Sequence, residues 1–122
     1  MSFDLSIDDE LADIINLMEV DLPAGLAELQ RLAEAGNRSA ILCLGLHLSE
    51  DRLTYDEAIP WLLRAVTFDS ADAAWNLAMI ARQRKDPEAV RKWIDKAAAL
   101  GQADAIKVQG KRYDVSSVLG LP

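Results

Sequence analysis

The chain has 122 residues, 51% hydrophobic and 27% charged, which is the composition of one soluble globular domain and excludes a disordered or low-complexity chain. Twenty acidic residues against thirteen Lys and Arg give a net charge of −7. This charge argues against nucleic acid as a partner, because phosphate backbones are bound by clustered cations. A single cysteine and a single histidine exclude an internal disulfide and a His/Cys metal cage, and we expect neither a metal nor a cofactor.

The sequence also predicts where the protein resides. The N-terminus has no basic segment followed by an apolar stretch, so it resembles neither a signal peptide nor a transit peptide. No apolar window approaches the length of a membrane-spanning helix. We therefore expect a cytoplasmic protein without membrane contact, and the lone Cys43 fits that reducing compartment.

Apolar residues recur at intervals of three and four, and Ala, Leu, Glu, Arg and Lys dominate, so the sequence predicts an all-α fold. Leu22-Pro23 separates a first segment from a second, which ends at Gly36. The short loops between segments make neighbouring helices antiparallel. The predicted helices are residues 7–20, 24–35, 39–50, 56–68, 71–85, 87–100 and 103–117.

Three local signals refine these boundaries. Thr54 and Glu57 have the spacing of a capping box. Asp86-Pro87 combines a preferred N-cap with proline at the first helical position, and Gly101 is a candidate for a left-handed C-cap. Pro60 removes a backbone donor, so it should kink or delay the fourth helix.

Alternate helices repeat with a period of 32–33 residues. A shift of 33 carries Leu44 and Gly45 onto Leu77 and Ala78, and a shift of 32 carries Trp61 onto Trp93. Two helices in each such period are typical of an α-solenoid, in which each hairpin buries its apolar face against the next. The prediction is a short solenoid of about seven helices, or three and a half hairpins, forming a single domain over residues 1–122.

The repeated residues are similar to those of a known family. The pattern Ala73-x3-Leu77-Ala78, Val90-x2-Trp93-x3-Ala97-Ala98, Gly101-x3-Ala105 resembles the Sel1-like repeat, a relative of the tetratricopeptide repeat. The copy that begins at Ala40 resembles it less closely, and the period is shorter than is usual in that family. The resemblance implies a protein-binding scaffold without catalytic residues.

Small residues fall at one repeat position, which predicts close helix crossings there. These residues are Ala12, Gly45, Ala78 and Gly110. Trp61 and Trp93 occupy equivalent positions, and we expect both to lie in the core between hairpins.

In a solenoid of this kind the first helix of each hairpin lines the concave surface. The repeat then predicts a groove that runs from acidic through apolar to basic, with Trp75 and Met79 as central anchors. The alternative is that so short a solenoid closes on itself and buries them. The predicted partner-binding residues are Asp9, Asp13, Leu42, Leu46, Trp75, Met79, Arg82, Lys107 and Lys111.

Charge is distributed unevenly along the chain. Residues 1–36 contain nine acidic residues and one basic residue, Arg31, whereas residues 37–122 contain eleven acidic and twelve basic residues. The net charge of −8 in the first segment either keeps a terminal hairpin soluble or steers a basic partner. Bases also cluster between residues 82 and 96, where Asp86, Glu88 and Asp95 interleave with them, and this pattern predicts a salt-bridged face. The clustered bases are Arg82, Arg84, Lys85, Arg91, Lys92 and Lys96.

One pair of residues has the spacing of a reactive site. Cys43 and His47 lie one helical turn apart, as in an activated thiolate–imidazole pair. Leucines surround them, however, and no Asn or Asp is placed to orient the imidazole, which favours a packing role. The sequence contains no phosphate loop and no catalytic triad pattern, so we do not expect an enzyme.

Two functions remain. A small acidic immunity protein that neutralises a basic bacterial toxin would explain the isolated repeat domain and its lopsided charge. A general scaffold or adaptor that binds a peptide in the concave groove is the alternative.

Overall fold

The computed structural model describes residues 5–120, with side chains from Asp9 to Gly120, and every regular element in that range is helical. The predicted all-α class is therefore confirmed. A short 3-10 helix, Arg52–Thr54, precedes α4. The helices are α1 Leu5–Val20, α2 Leu22–Glu34, α3 Arg38–Leu48, α4 Tyr55–Thr67, α5 Ala71–Gln83, α6 Pro87–Ala99, α7 Ala103–Gly110 and α8 Val115–Leu119.

Each helix packs mainly against the next one along the chain, and α3 also contacts α5. This sequential packing produces a short solenoid-like stack of the hairpins α1–α2, α3–α4 and α5–α6, followed by α7 and α8. One buried apolar cluster extends from α1 to α5, and a second from α5 to α8. None of the helices in residues 5–120 combines the length and apolar character that a bilayer span requires.

Five of the helices end in the same backbone turn. In each, one residue has a positive φ, and the N–H of the following residue bonds to a carbonyl five positions earlier, which is the Schellman arrangement. At Gly36 and Gly101, glycine accommodates a φ of +94° and +93° without strain, which confirms Gly101 as a left-handed cap. The other three positive-φ positions carry side chains: Asp69, Lys85 and Arg112.

The residue after each of the first four turns begins the next helix. Asp86 Oδ1, for example, accepts a hydrogen bond of 3.2 Å from the N–H of Ala89 and caps α6, as predicted. Asn37, Ser70 and Gln102 cap α3, α5 and α7 in the same way. This immediate succession of C-cap and N-cap explains why these loops are so short.

Two local predictions are wrong, and one of the two effects expected of Pro60 is absent. Thr54 makes no capping bond to α4; its hydroxyl instead donates to the carbonyl of Leu48, at 2.5 Å, because the 3-10 helix places it over the end of α3. Pro60 does not delay α4, which begins at Tyr55. The predicted helix 103–117 is divided into α7 and α8, since the chain turns there through two consecutive positive-φ residues, Arg112 and Tyr113.

The predicted close crossings hold only in the middle of the stack. Ala78 is fully buried, and a Cβ added at Gly45 would lie 2.9 Å from a methyl carbon of Leu62. Ala12 and Gly110 are exposed, because a terminal repeat has a neighbour on one side only. The close approach of α1 and α2 occurs instead at Gly25, where an added Cβ would lie 2.7 Å from Met18 Cα.

The two repeat-related tryptophans are not wholly enclosed. Trp61 and Trp93 pack against the first buried cluster but are each only half-buried. Arg64 Cζ lies 5.1 Å from the ring centroid of Trp61, and Lys92 Nζ lies 4.7 Å from that of Trp93. Both rings therefore pack against the core, but neither is fully buried.

Candidate functional site

The central residues of the predicted groove lie on two helices that contact each other. Leu42 and Leu46 on α3 are half-buried, as are the α5 residues Trp75, Met79 and Arg82. On α5 these three side chains lie within about 60° of one another around the helix axis. The two helices touch directly, and Ser49 Oγ donates to Asn76 Oδ1 at 3.1 Å. Neighbouring helices thus present partly exposed apolar side chains.

The two ends of the predicted groove do not join this surface. Asp9 and Asp13 are exposed on α1, and Asp13 points about 140° away from Met18 around the helix axis. Met18 packs against the buried cluster that contains Ile14, and both aspartates face away from Met18. Lys107 and Lys111 are exposed on α7 and just after it. Within the described side chains, none of these four charges lines any of the three cavities found.

An apolar cavity of about 420 Å³ lies between α1 and α3. We call it the apolar cavity. Ile15 and Leu22 remain 43% and 45% exposed in its wall, although both are large hydrophobic residues. The repeat period predicts a different set of α1 residues, Asp9 and Asp13, for the concave side. The three- and four-residue spacing of Ile15, Met18 and Leu22 is the sequence pattern that indicates the apolar cavity wall. The lining residues are Ile15, Met18, Glu19, Leu22, Cys43, Leu46, His47 and Glu50.

Cys43 and His47 both lie in the wall of the apolar cavity. Burial raises the pKa of the Cys43 thiol above its usual value of 9.0. A thiol with a raised pKa holds its proton at neutral pH, whereas a nucleophilic cysteine needs the thiolate. The pair therefore contributes apolar and polarisable surface to the cavity wall.

Most of the described acidic side chains in residues 1–36 make no ion pair. Arg31, its single basic residue, pairs with Glu10 on α1 and with Glu28 on α2. Glu19 and Glu50 stand in the wall of the apolar cavity, and among the described side chains neither has an ion-pair partner within 4.0 Å. Of the nine acidic residues in 1–36, Asp4 and Asp8 lie outside the described side chains.

A second cavity, of about 520 Å³, lies where the α5–α6 turn meets the α7–α8 turn. We call it the basic cavity because four cationic side chains line it. Two acidic residues, Asp86 and Asp114, are also in its wall, together with apolar atoms of Val90 and Val115. The four cationic residues are Arg82, Lys85, Arg91 and Arg112.

The predicted salt-bridged face is wrong for most of its members. Of the six clustered bases, only Arg84 makes an ion pair among the described side chains, and its partner is Asp56 of α4, at 2.7 Å. The interleaved acids have other roles: Asp86 caps α6, and Asp95 accepts hydrogen bonds from Tyr113 and Gln109. The N-cap role of Asp86, which the sequence also predicts, competes with ion pairing for the same carboxylate.

Hydrogen bonds and stacking fix one wall of the basic cavity. Arg82 Nη2 donates to Ser116 Oγ at 2.6 Å, and Arg91 Cζ lies 4.7 Å from the ring centroid of Tyr113. The Tyr113 hydroxyl donates to Asp95 Oδ1 at 2.6 Å. This hydrogen bond lowers the pKa of Asp95 and raises that of Tyr113, because it stabilises the carboxylate and the protonated phenol together.

Comparison with known proteins does not assign the chain to a family. No protein-family model matches it, and neither a curated protein nor a solved structure does. The Sel1-like resemblance stays a prediction from the sequence, and function has to be inferred from the surfaces described above.

Proposed function

We propose that this chain is a protein-interaction module that binds a basic partner protein at the apolar cavity. The observation that carries the proposal is the cavity between α1 and α3, with half-exposed Ile15 and Leu22 in its wall beside the carboxylates of Glu19 and Glu50. Exposed apolar surface with a polar rim is typical of binding sites. The two carboxylates favour a partner whose apolar anchor residue is flanked by lysine or arginine.

The kind of partner that best fits this charge is a basic bacterial toxin, which the chain would neutralise as an immunity protein. Residues 1–36, the segment that includes α1 and α2, have a net charge of −8. A charge of this size accelerates encounter with a cationic surface and orients it. The resemblance to Sel1-like repeats, which are protein-binding scaffolds, supports the same class of function.

The apolar contact is tested with two matched variants of α1. The partner is first isolated by pull-down from the native lysate and identified by mass spectrometry, then purified for surface plasmon resonance. Ile15→Asp should accelerate dissociation and weaken binding by about 2 kcal/mol, as expected for a central anchor. Val20→Asp is the control, because Val20 is 84% exposed and lies outside the cavity lining. Equal effects of the two variants would refute the apolar cavity as the binding site.

The electrostatic contribution is tested separately at two salt concentrations. Charge reversal of Asp9 and Asp13 should slow association and weaken its salt dependence, while dissociation changes less. Reversal of Glu19 and Glu50 should change both rates, since these carboxylates stand beside the proposed anchor. If reversal of Asp9 and Asp13 leaves the association rate unaltered at low salt, the acidic hairpin serves only solubility, and the immunity-protein proposal loses its main support.

A second candidate is an adaptor that binds a peptide along α3 and α5. The half-buried Leu42, Leu46, Trp75 and Met79 on these touching helices favour it. Trp75→Ala should then raise the dissociation rate and leave association nearly intact, with a loss of about 2 kcal/mol. Circular dichroism must show that this variant folds, because Trp75 also packs against the second buried cluster. Sensitivity to Trp75→Ala together with insensitivity to Ile15→Asp would assign binding to this surface.

A further inference from the structure

We infer that the basic cavity binds a small molecule carrying a compact multivalent oxyanion, such as a phosphate ester or a polycarboxylate. This inference is independent of the proposed protein partner. It concerns the opposite end of the stack, where the α5–α6 turn and the α7–α8 turn border the 520 Å³ cavity, which is open to solvent. That volume falls within the range of about 300–1,000 Å³ that is usual for small-molecule sites.

The four cations of the cavity are only partly neutralised by its two carboxylates. The described side chains make ion pairs at Arg31 and Arg84 only, so the four cavity cations have no carboxylate within 4.0 Å. The two carboxylates in the wall accept backbone hydrogen bonds at helix starts, Asp86 from Ala89 and Asp114 from Ser117. Four cations beside two carboxylates leave an excess of positive charge in the wall, and an anion bound there would reduce the repulsion between the cations.

Two of the cations are held in place before any ligand binds. Arg82 uses one donor on Ser116, and the guanidinium of Arg91 is stacked over Tyr113. A guanidinium has five N–H donors, so each keeps several free. Its fork matches two oxygens of a phosphate or a carboxylate at once. A positioned arginine also loses less side-chain entropy on binding.

The other two cations occupy backbone positions that favour glycine. Lys85 has a φ of +57° and Arg112 a φ of +54°, at the turn position that is filled by Gly36 and Gly101 elsewhere in the chain. A residue with a Cβ disfavours this conformation. Both cations that occupy this position face the same cavity. Charge is therefore present at two places where backbone stability alone would favour glycine.

The ligand should be small. The whole chain carries a net charge of −7, which repels a long polyanion over most of its surface. A compact anion needs only the local field of the cavity.

Calorimetric titration of the full chain with inorganic pyrophosphate and with citrate, at low ionic strength, tests the inference. We expect at least one of the two to bind, and the tighter one identifies the ligand as a phosphate or a polycarboxylate. Lys85→Gly and Arg112→Gly should each weaken that binding about threefold or more. Both variants should keep or raise the thermal midpoint, because glycine relieves the backbone strain.

Two control variants separate charge from backbone. Asp69→Gly relieves the same strain (φ +66°) in the α4–α5 turn, outside the basic cavity, and should leave anion binding at least as tight. Lys107→Ala removes one exposed cation that does not line the cavity, and should also leave it unchanged. The inference is overturned if neither anion binds, or if Lys107→Ala weakens binding as much as Lys85→Gly does.

Discussion

Replacement of Gly25 by alanine should destabilise the fold, although alanine is the better helix former. The new Cβ would lie 2.7 Å from Met18 Cα and Met18 N, which are backbone atoms of α1. Backbone cannot rotate away, so the overpacking should cost the upper part of the usual range, about 3 kcal/mol. The gain in helix propensity returns about 1 kcal/mol. We expect a net loss of about 2 kcal/mol, or about 8 °C in the thermal midpoint of a chain of this length.

Urea denaturation followed by circular dichroism measures this loss as a lower midpoint with an unchanged slope. Gly110→Ala is the matched control, because a Cβ added there meets no atom of the described residues within 4 Å. It should stabilise the protein by about 0.5–1 kcal/mol. Gly45→Ala should fall between the two, since the atoms nearest its Cβ belong to the Leu62 side chain. A Gly25→Ala variant as stable as Gly110→Ala would show that α1 shifts freely, and would refute the reasoning.

Three further predictions concern single positions. Ala78→Leu should lower the thermal midpoint through overpacking, at a cost of about 1–3 kcal/mol; an unchanged melt would contradict the crossing there. Gly101→Ala should cost about 1 kcal/mol in urea denaturation despite open space around its Cβ, because its φ is +93°; a neutral result would contradict this. Tyr113→Phe should raise the pKa of Asp95 in an NMR titration, since the Tyr113 hydroxyl is the main cause of its lowering below 3.8. A carboxyl whose pKa is lower in the folded state than in the unfolded state stabilises the fold at pH values above the unfolded-state pKa. The difference in unfolding free energy between Tyr113→Phe and the original protein should therefore shrink as the pH falls through the pKa of Asp95 in the folded state. An unshifted Asp95 would rule out this coupling.

Helix boundaries were predictable wherever glycine or a capping residue marked them. Gly36, Asp86 and Gly101 each mark a helix end or start close to where the sequence places it. The break between α7 and α8 was missed because its turn relies on Arg112 and Tyr113, residue types that seldom adopt a positive φ. Asp114, which caps α8 through the N–H of Ser117, was the available signal.

The repeat period brings predicted groove residues onto neighbouring helices only in the middle of the stack. Leu46 and Trp75 lie on touching helices as predicted, because a central hairpin is fixed by neighbours on both sides. Helix α1 has no helix before it within the described range, and its rotation is set by the contact of Met18 with Gly25. No repeat position encodes that contact, so the repeat period alone does not show that Asp9 and Asp13 face away from Met18.

The basic cavity was only half visible in the sequence. The bases between residues 82 and 96 form an obvious cluster, but Arg112 joins them only through the fold. Sequence proximity also suggested that the neighbouring acids pair with these bases. One of those acids, Asp86, caps a helix instead, and Asp95 accepts hydrogen bonds from Tyr113 and Gln109. A pattern of charges alone does not distinguish these roles from ion pairing.

Helix α5 belongs to both buried clusters, with Leu77 on one side and Ala78 on the other. Its amide protons should therefore exchange with solvent only when the whole molecule unfolds. Helix α8 is five residues long and has one buried side chain, Val115, so it should open on its own. Opening α8 would break the bond between Arg82 and Ser116 and remove one wall of the basic cavity. A ligand bound in the basic cavity should consequently slow amide hydrogen exchange in α8, which lies more than thirty residues away from Arg82 along the chain.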